Sequence, residues 1–148
     1  MGESHALGLA SRGADIVVNH SSSPEAAESV VKAIEAMGRK AIAIKADMSQ
    51  PESIAKLFSA AHEHFKHIDI VISNSGVESF SHISEITPEE FDRVFSINTR
   101  GQLFVAYQAY KYLTPGGRLA MLSSISALAK TIKTMHCIQG QRLPWKPL

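Results

Sequence analysis

Short strands rich in β-branched residues alternate with amphipathic helices along this chain, and that alternation constrains the fold more than any other feature. Segments 14–19, 41–44 and 68–72 are apolar runs built largely from Ile, Val and Ala. A fourth run lies at 118–122, after a proline and two glycines that end a long helix. Strands separated by helices favour a parallel sheet covered on both faces, since each parallel crossover needs a helix to return the chain. The run at 68–72 is almost continuously apolar, which predicts that this strand is buried on both faces.

Proline and acidic residues mark where the helices begin. Pro24, Pro51 and Pro88 occupy first-turn positions that accept proline, and each is followed by a glutamate that suits the positive end of a helix. The serines before Pro24 are predicted to cap its helix. Gly13 and Gly38 are glycines of the kind that ends helices. The predicted helices span 3–11, 24–37, 51–65 and 88–113.

The composition excludes several classes of protein. Of 148 residues, 15 are basic and 14 acidic, which gives a net charge of +1 and no one-sided basic field of the kind that binds nucleic acid. No apolar run has the length of a membrane span, and residues 1–7 lack the charged and apolar regions of a secretory signal. Cys137 is the single cysteine, so an internal disulfide is excluded and a reducing, cytoplasmic location is expected. We therefore expect neither nucleic acid nor a membrane as a partner.

Small polar residues follow every predicted strand. In open parallel sheets, ligands bind beyond the carboxyl ends of the strands. Turns also use Ser, Asn, Asp and Gly because these residues stabilise the turn backbone. Each position taken singly therefore favours a turn-forming role over a ligand-binding role. Their occurrence after all four strands favours a nucleotide-binding crevice. In strand order, the residues at these positions are Asn19, His20 and Ser21, then Asp47 and the apolar Met48, then Asn74, Ser75 and Gly76, and last Ser123 and Ser124.

Asn98 stands on the apolar face of the long predicted helix, one turn after Val94 and two turns after Phe91. The amide of a buried asparagine needs hydrogen-bond partners. The spacing alone therefore favours a structural bond between this amide and a neighbouring backbone over a catalytic role.

Three histidines, His62, His64 and His67, lie close together near the end of the helix predicted at 51–65. His62 and His64 are two residues apart, so they point to different sides of a helix. Their spacing matches no usual zinc ligand set. A solvated helix end is predicted here, and no metal site.

Five short motifs in the second half of the strand–helix pattern are unusually specific. They are Asp69-Ile70-Val71, Ser73-Asn74-Ser75-Gly76-Val77, Thr87-Pro88-Glu89-Glu90-Phe91-Asp92-Arg93-Val94-Phe95, Ile97-Asn98-Thr99-Arg100-Gly101-Gln102 and Gly116-Gly117-Arg118-Leu119. Together they resemble the short-chain dehydrogenase/reductase family, most closely its fungal polyhydroxynaphthalene and versicolorin-type ketoreductases. The resemblance implies an α/β fold, an incomplete Rossmann-type doubly wound parallel sheet that lacks the family's first strand and its C-terminal strands. Residues 1–130 would then form a partial dinucleotide-binding domain.

The resemblance also implies roles for individual residues. Ser124 matches the family's catalytic serine, which hydrogen-bonds the substrate carbonyl, and Asn98 matches its catalytic asparagine. No carboxylate ends the first predicted strand, and because an acid there would repel a 2′-phosphate, NADP(H) is the implied cofactor. The implied activity is NADPH-dependent reduction of a carbonyl on an aromatic polyketide in fungal secondary metabolism, with homo-oligomerisation through the helix at 88–113. The resemblance also implies cofactor-binding positions. These are Gly2 in the glycine-rich turn, Asn19, His20 and Ser21 around the adenosine ribose, Asp47 and Met48 beside the adenine, and Asn74, Ser75 and Gly76 in the segment that lines the cofactor.

Two departures from the family pattern bear on activity. Met1 and Gly2 align with the last two residues of the family's glycine-rich turn, which cradles the pyrophosphate, and the other glycines of that turn are absent from this chain. Weaker binding of the cofactor is therefore expected. The family's catalytic tyrosine and lysine would fall at Ile138 and Arg142, neither of which can donate the proton that the tyrosine supplies. We therefore expect a reductase by ancestry whose present chain is inactive. The alternative is a non-catalytic fragment or pseudoenzyme that pairs with an intact homologue through its long helix. The block at 98–101 disfavours a third alternative, an unrelated doubly wound binding domain.

Residues 131–148 form an irregular tail without a clear hydrophobic period. When the codons from Met135 onward are read out of frame, the genetic code permits a peptide with a tyrosine and a lysine at the family's distance from Ser124. This pattern favours a frame-shifted or mis-spliced translation of the tail, and the alternative is a genuine short transcript. Sequencing the transcript across this region decides between them.

Overall fold

Helices and strands alternate along residues 1–123, which are the residues that the computed structural model describes. The α/β architecture and the parallel strand pairing predicted from the sequence are confirmed. Ser124 and the tail at 131–148 lie outside the described residues. The helices are α1 (Gly2–Ala10), α2 (Pro24–Glu35), α3 (Pro51–Phe65), α4 (Pro88–Phe95) and α5 (Gln102–Tyr112). The strands are β1 (Ile16–His20), β2 (Ala41–Lys45), β3 (Ile68–Ser73) and β4 (Leu113–Met121). One turn of π-helix at Ser96–Gly101, hereafter the π-turn, joins α4 to α5, and a short 3-10 turn occupies Ile83–Glu85.

The strands form two parallel pairs rather than one continuous sheet in the described part of the chain. β1 pairs with β2 from Ile16, opposite Ala41, to His20, opposite Lys45. β3 pairs with β4 in the same sense. Helix α2 makes the crossover within the first pair, whereas α4, the π-turn and α5 make the crossover within the second. Helix α3 links the two pairs.

Each strand pair has its own hydrophobic core. In the first core, α1 and α2 pack on β1 and β2, and its buried residues are Ala10, Ile16, Ile34 and Ala41. In the second core, α3 and α5 pack on each other and on β3, and its buried residues are Ile54, Phe58, Val105 and Ala109. No helix within residues 1–123 is long and apolar enough to cross a bilayer.

A cleft of about 530 Å³ lies between the two strand pairs. Residues of α1 and β1 line one side of it, and residues of β3 and α3 line the other. Within the described residues, β1 and β3 each have one hydrogen-bonded strand neighbour, so each presents an unpaired edge. The cleft runs along the whole length of these two edges, from Gly13 and His67 to Asn19 and Ser75, and apolar side chains of α3 also line it. It therefore has the position of the first strand that the chain lacks by resemblance, and only its carboxyl end lies beside the predicted cofactor residues.

The prediction that β3 is buried on both faces is wrong. Ile70 is 46% exposed, and its neighbour Asp69 is also exposed. The core formed by α3 and α5 contacts β3 through Ile68 and Val71, whereas Ile70 lines the cleft. An apolar run therefore predicts that a strand forms, but it does not tell whether a neighbouring element covers each of its faces.

The helix predicted at 88–113 ends within one residue of the predicted position, at Tyr112, but it is not continuous, and the strand predicted at 118–122 begins earlier. The π-turn interrupts it, and β4 begins at Leu113 rather than at 118. Leu113 pairs with Ile68, and after a bulge the pairing resumes at Arg118. Gly116 has a φ of 82° within this bulge, a conformation that glycine adopts without strain. The proline and glycines that were predicted to end the helix therefore shape the first part of a strand.

Candidate functional site

The predicted cofactor residues gather at the carboxyl ends of β1, β2 and β3, beside the cleft. Those that line the cleft are Gly2, Asn19, Met48, Asn74 and Ser75. Those that do not line it are His20, Ser21, Asp47 and Gly76, which are next to lining residues in the chain or one residue further on. Residues from three separate loops and from the start of α1 thus come together at one edge of the strand pairs.

Gly2 places the start of α1 directly against the loop that follows β3. A Cβ atom on this residue would lie 3.1 Å from Asn74 Nδ2, closer than most side chains tolerate. The first N–H groups of a helix have no partners within the helix, and with the helix dipole they favour an anion. The glycine therefore lets a helix N-terminus and the Asn74 amide meet at the cleft.

Several buried polar atoms around the cleft have no hydrogen-bond partner within the described residues. Asn74 Oδ1 and His20 Nδ1 belong to predicted cofactor residues, and His5 Nδ1 belongs to α1. A buried donor or acceptor that is left unpaired costs about 1–3 kcal/mol, and most such groups in folded proteins have partners. Asn74 and His5 both line the cleft. These atoms therefore fit a polar ligand such as a nucleotide better than an apolar one.

The side chain of Asn19 ties the carboxyl ends of β1 and β2 together. Its Nδ2 donates to the carbonyl oxygens of Ala46 at 3.1 Å and Ile44 at 3.3 Å. The amide nitrogen thus has a structural function, and the role beside an adenosine ribose stays a prediction. No carboxylate stands at the end of β1, where Asn19 and His20 are the last residues of the strand and Ser21 follows it.

Asp47 shapes the turn that follows β2. Its Oδ1 accepts a hydrogen bond from the Ser49 N–H at 2.8 Å, and its own N–H donates to Ser53 Oγ at 2.9 Å. An aspartate that bonds the backbone two residues further on forms a stable local turn without any ligand. This turn presents the half-buried Met48 to the cleft.

Asn98 lies in the π-turn and is only 2% exposed. Its Oδ1 accepts from the Val77 N–H and its Nδ2 donates to the Val77 carbonyl oxygen, both at 2.8 Å. The amide therefore bonds the Val77 backbone as a neighbouring strand would. The structural bond that the spacing favoured is confirmed, and it holds the loop after β3 in place. The match of Asn98 to a catalytic asparagine stays a prediction.

A second contact that holds the same loop was not predicted from the sequence. The Glu90 carboxylate accepts hydrogen bonds from the hydroxyls of Ser79 and Ser81, the latter at 2.7 Å. These bonds, that of Ser79 foremost, lower the pKa of the Glu90 carboxyl below its ordinary value. In the sequence, Glu90 had the simpler interpretation of an acidic residue at a helix start. The signal that could have revealed the contact is a pair of serines, spaced by one residue, shortly before that acid.

The three histidines near the end of α3 contact aromatic and acidic neighbours. The ring of His62 lies 5.5 Å from the ring of Tyr112, and that of His64 lies 4.5 Å from Phe65. His67 Nε2 lies 3.4 Å from a carboxylate oxygen of Asp69. Within residues 1–123, no group of three or more His, Cys, Asp or Glu side chains is placed to hold a metal ion.

Comparison with known sequences gives a consistent result. A family model described as short chain dehydrogenase matches residues 1–136. Versicolorin reductase 1 from Aspergillus parasiticus is 51% identical over 142 residues, which are 96% of this chain and 54% of that protein. Elsinochrome reductase 1 from Elsinoe fawcettii is 52% identical over 96% of this chain and 53% of its own length. Trihydroxynaphthalene reductase from Colletotrichum orbiculare is 51% identical over 96% of this chain and 50% of its own length. The chain thus spans about half the length of the curated relatives that it matches.

Solved structures agree with the sequence comparison. A short chain dehydrogenase from Burkholderia cenocepacia in complex with NADP superposes with a TM-score of 0.90 at 29% identity, over 95% of this chain and 58% of that chain. A variant of a short-chain dehydrogenase/reductase from Serratia marcescens gives a TM-score of 0.92 at 26% identity, with the same coverage of 95% and 58%. A blue fluorescent protein from a metagenomic library, in complex with NADPH, gives 0.88 at 26% identity over 96% of this chain and 59% of that chain.

Proposed function

Because this chain belongs to the short-chain dehydrogenase/reductase family, we propose that it carries the cofactor-binding part of an NADPH-dependent reductase. The proposed substrate is a carbonyl on an aromatic polyketide of fungal secondary metabolism. The names of the curated relatives, which are versicolorin, elsinochrome and trihydroxynaphthalene reductases, support both the reaction and the substrate class. The NADP and NADPH complexes among the similar structures support the cofactor.

The observation that carries this function is the meeting of the α1 N-terminus with unpartnered polar atoms at the cleft. Asn74 Oδ1 is buried and unpaired, and it belongs to the side chain that Gly2 approaches. In this assignment, the N–H groups at the start of α1 bind a phosphate of the cofactor. Residues 19–21 surround the adenosine ribose, where the lack of a carboxylate favours a 2′-phosphate. Met48 borders the adenine.

The chain's own residues divide the remaining tasks between the loops after β3 and β4. When bound, the nicotinamide would supply the hydride that reduces the carbonyl. Asn98 holds the Val77 backbone and thereby the loop that contains Asn74. By resemblance, Ser124 would hydrogen-bond the substrate oxygen. Ile138 and Arg142 stand where the family has its proton donor and the lysine that assists it, so this chain lacks the acid that completes the reaction.

A second candidate function is a non-catalytic partner of an intact homologue or of a second copy. The observation that favours it is an apolar stripe on α5, where Leu103, Tyr107 and Tyr110 are 65%, 49% and 88% exposed. On α4, the rings of Phe91 and Phe95 stack at 4.0 Å, and Phe91 is 44% exposed. Apolar side chains that are exposed together mark a surface for association. The two candidate functions are compatible, since the stripe and the cleft involve different residues.

A cofactor titration of the 148-residue chain tests the proposed function. Calorimetry with NADPH and NADH should show tighter binding of NADPH, and Asn74→Ala should weaken it. The matched control is Asp92→Ala, which changes an exposed residue on α4 away from the cleft. In the same preparation, we expect no oxidation of NADPH with a naphthol-type or quinone substrate. Failure to bind either nucleotide, or equal binding of both, contradicts the cofactor assignment, and measurable turnover contradicts the loss of the proton donor.

A further inference from the structure

The π-turn contacts two separate loops, and Gly101 is the residue at its end. Gly101 is buried and has φ −58° and ψ −47°, the ordinary right-handed helical conformation. Any residue adopts this conformation, and alanine is preferred over glycine within helices. The backbone conformation therefore gives no reason for a glycine at this position.

The reason lies in the turn that follows β2. A Cβ atom on Gly101 would clash with the Met48 carbonyl oxygen and would lie 3.3 Å from the Met48 carbonyl carbon. The atoms that it meets belong to the backbone, which cannot rotate away as a flexible side chain does. Only a residue without a side chain allows this approach of the π-turn to Met48.

The neighbouring residue makes a second contact with the same turn. Arg100 Nη2 donates to the Ser49 carbonyl oxygen at 3.1 Å. Two consecutive residues of the π-turn thus contact two consecutive residues of the turn after β2. Asn98, on the same π-turn, bonds the Val77 backbone after β3. The π-turn therefore joins the loops at the carboxyl ends of two strands that do not pair with each other.

We propose that Gly101 and Arg100 are positioning residues for the adenine end of the nucleotide, because they hold the backbone of the turn at 47–49 against the π-turn. This assignment rests on the proposed function, in which Met48 borders the adenine. It goes further by linking Met48, which borders the adenine, to Asn98, so that one six-residue turn sets the positions of Met48 and of Asn98. π-helical turns within helices are often found at functional sites, and here Asn98 contacts the loop after β3 while Arg100 and Gly101 contact the turn after β2.

Amide hydrogen exchange without any ligand tests the positioning role by itself. The reporters are the amides of Ser49 and Gln50, which bond to the side chain and the carbonyl of Asp47. In Gly101→Ala they should exchange at least about tenfold faster, because the turn must move to admit the new methyl group. The amide of Ala46, which donates to the His20 carbonyl at 2.9 Å, should be unaffected. A uniform rise at Ala46 as well as at the two reporters would indicate general destabilisation and would overturn the proposal.

Two further variants keep the test decisive if Gly101→Ala does not fold. Arg100→Met removes the hydrogen-bond donor of an exposed side chain and should raise exchange at Ser49 and Gln50 about fivefold, the effect of one lost hydrogen bond. Arg100→Lys, which keeps a donor, should restore part of the protection. Gly8→Ala is the matched control for a glycine in a helix, since a Cβ there has its nearest neighbour at 3.9 Å, the mobile end of Arg12. Unchanged exchange in both Gly101→Ala and Arg100→Met overturns the role of the π-turn.

Binding of two cofactor fragments separates this inference from the proposed function. Adenosine 2′,5′-bisphosphate should bind Gly101→Ala at least about tenfold more weakly than the unmodified chain, whereas reduced nicotinamide mononucleotide should bind both equally. If the unmodified chain does not bind the bisphosphate, the proposed function fails and the assignment of the turn to the adenine fails with it. If it binds and Gly101→Ala binds equally well, the proposed function stands and the positioning role of Gly101 is overturned.

Discussion

Replacing Asn98 by alanine should cost a large part of the stability of this chain. The side chain is 2% exposed and makes two hydrogen bonds of 2.8 Å to the Val77 backbone. Each bond contributes about 1 kcal/mol net, and a backbone group left buried and unpaired costs about 1–3 kcal/mol. Some of that loss is recovered where water reaches the half-buried Val77, so we expect a decrease of about 2–4 kcal/mol in the free energy of unfolding. The whole stability of a domain is about 5–15 kcal/mol.

Urea unfolding followed by circular dichroism measures this decrease. The midpoint should fall in Asn98→Ala while the slope of the free energy against urea stays the same, since the surface exposed on unfolding hardly changes. Asp92→Ala is the control on the preceding helix, and because Asp92 is exposed its effect should stay within about 0.5 kcal/mol. A decrease of less than about 0.5 kcal/mol in Asn98→Ala would show that the pairing with Val77 does not hold the loop.

Three other outcomes follow from the described contacts. The hydrogen bonds to Glu90 lower the pKa of its carboxyl from a usual 4.5. The stability that they add is therefore complete above pH 4.5 and is lost as the pH falls through the lower pKa of the folded state. In Glu90→Gln, this part of an acid unfolding curve should be flatter. Leu103→Asp combined with Tyr107→Lys should reduce any self-association seen by sedimentation velocity, and an unchanged distribution of species would remove α5 as the contact face. Because β1 and β3 have unpaired edges in the described part of the chain, the chain alone should be poorly soluble. Ile70→Lys, at a position that is 46% exposed and lines the cleft, should increase the amount of protein in the soluble fraction. A monodisperse monomer of the unmodified chain would argue against the predicted poor solubility.

The element types could be predicted from the sequence because each segment carries a local signal. The Ile- and Val-rich runs at β1, β2 and β3 and the prolines at the starts of α2, α3 and α4 depend on neighbouring residues only. Thr87 also acts as a helix cap, since its hydroxyl accepts from the Glu90 N–H at 3.2 Å. Ser23 is the N-cap residue of α2, as predicted, but its hydroxyl makes no cap hydrogen bond, because a suitable residue type does not determine the rotamer.

What could not be predicted depends on contacts between distant segments. The exposure of Ile70 follows from the cleft beside β3, and the early start of β4 follows from the pairing of Leu113 with Ile68. The π-turn has no local signature either, because it is stabilised by Val77 and by the backbone of Met48 and Ser49. The hydrophobic periodicity therefore predicted a helix through this region, but it did not predict that the backbone hydrogen bonds at 96–101 span one residue more than in an α-helix.

The candidate site shows the same division. The residues after each strand could be predicted to lie together because a parallel sheet brings strand ends to one edge, and five of the nine predicted cofactor residues line the cleft. Their roles toward a cofactor stay predictions. Asn19 and Asp47 bond nearby backbone, which is the ordinary turn role that the sequence favoured for each of these positions taken singly. These bonds explain why residue type alone does not separate a turn-forming side chain from one that binds a ligand.

Binding of NADP(H) at the carboxyl ends of β1 and β3, beside the cleft, is tested most directly by a nuclear magnetic resonance titration. In a chain labelled with nitrogen-15, NADPH should shift the side-chain amide signal of Asn74 and the ring nitrogen signals of His20, the two predicted cofactor residues with buried unpartnered atoms. NADH should cause smaller shifts at the same concentration, and the backbone amide of the exposed Asp92 should not move with either nucleotide. If the signals of Asn74 and His20 do not move, or if the shifted signals belong to the exposed face of α5, the proposed position of the cofactor is contradicted.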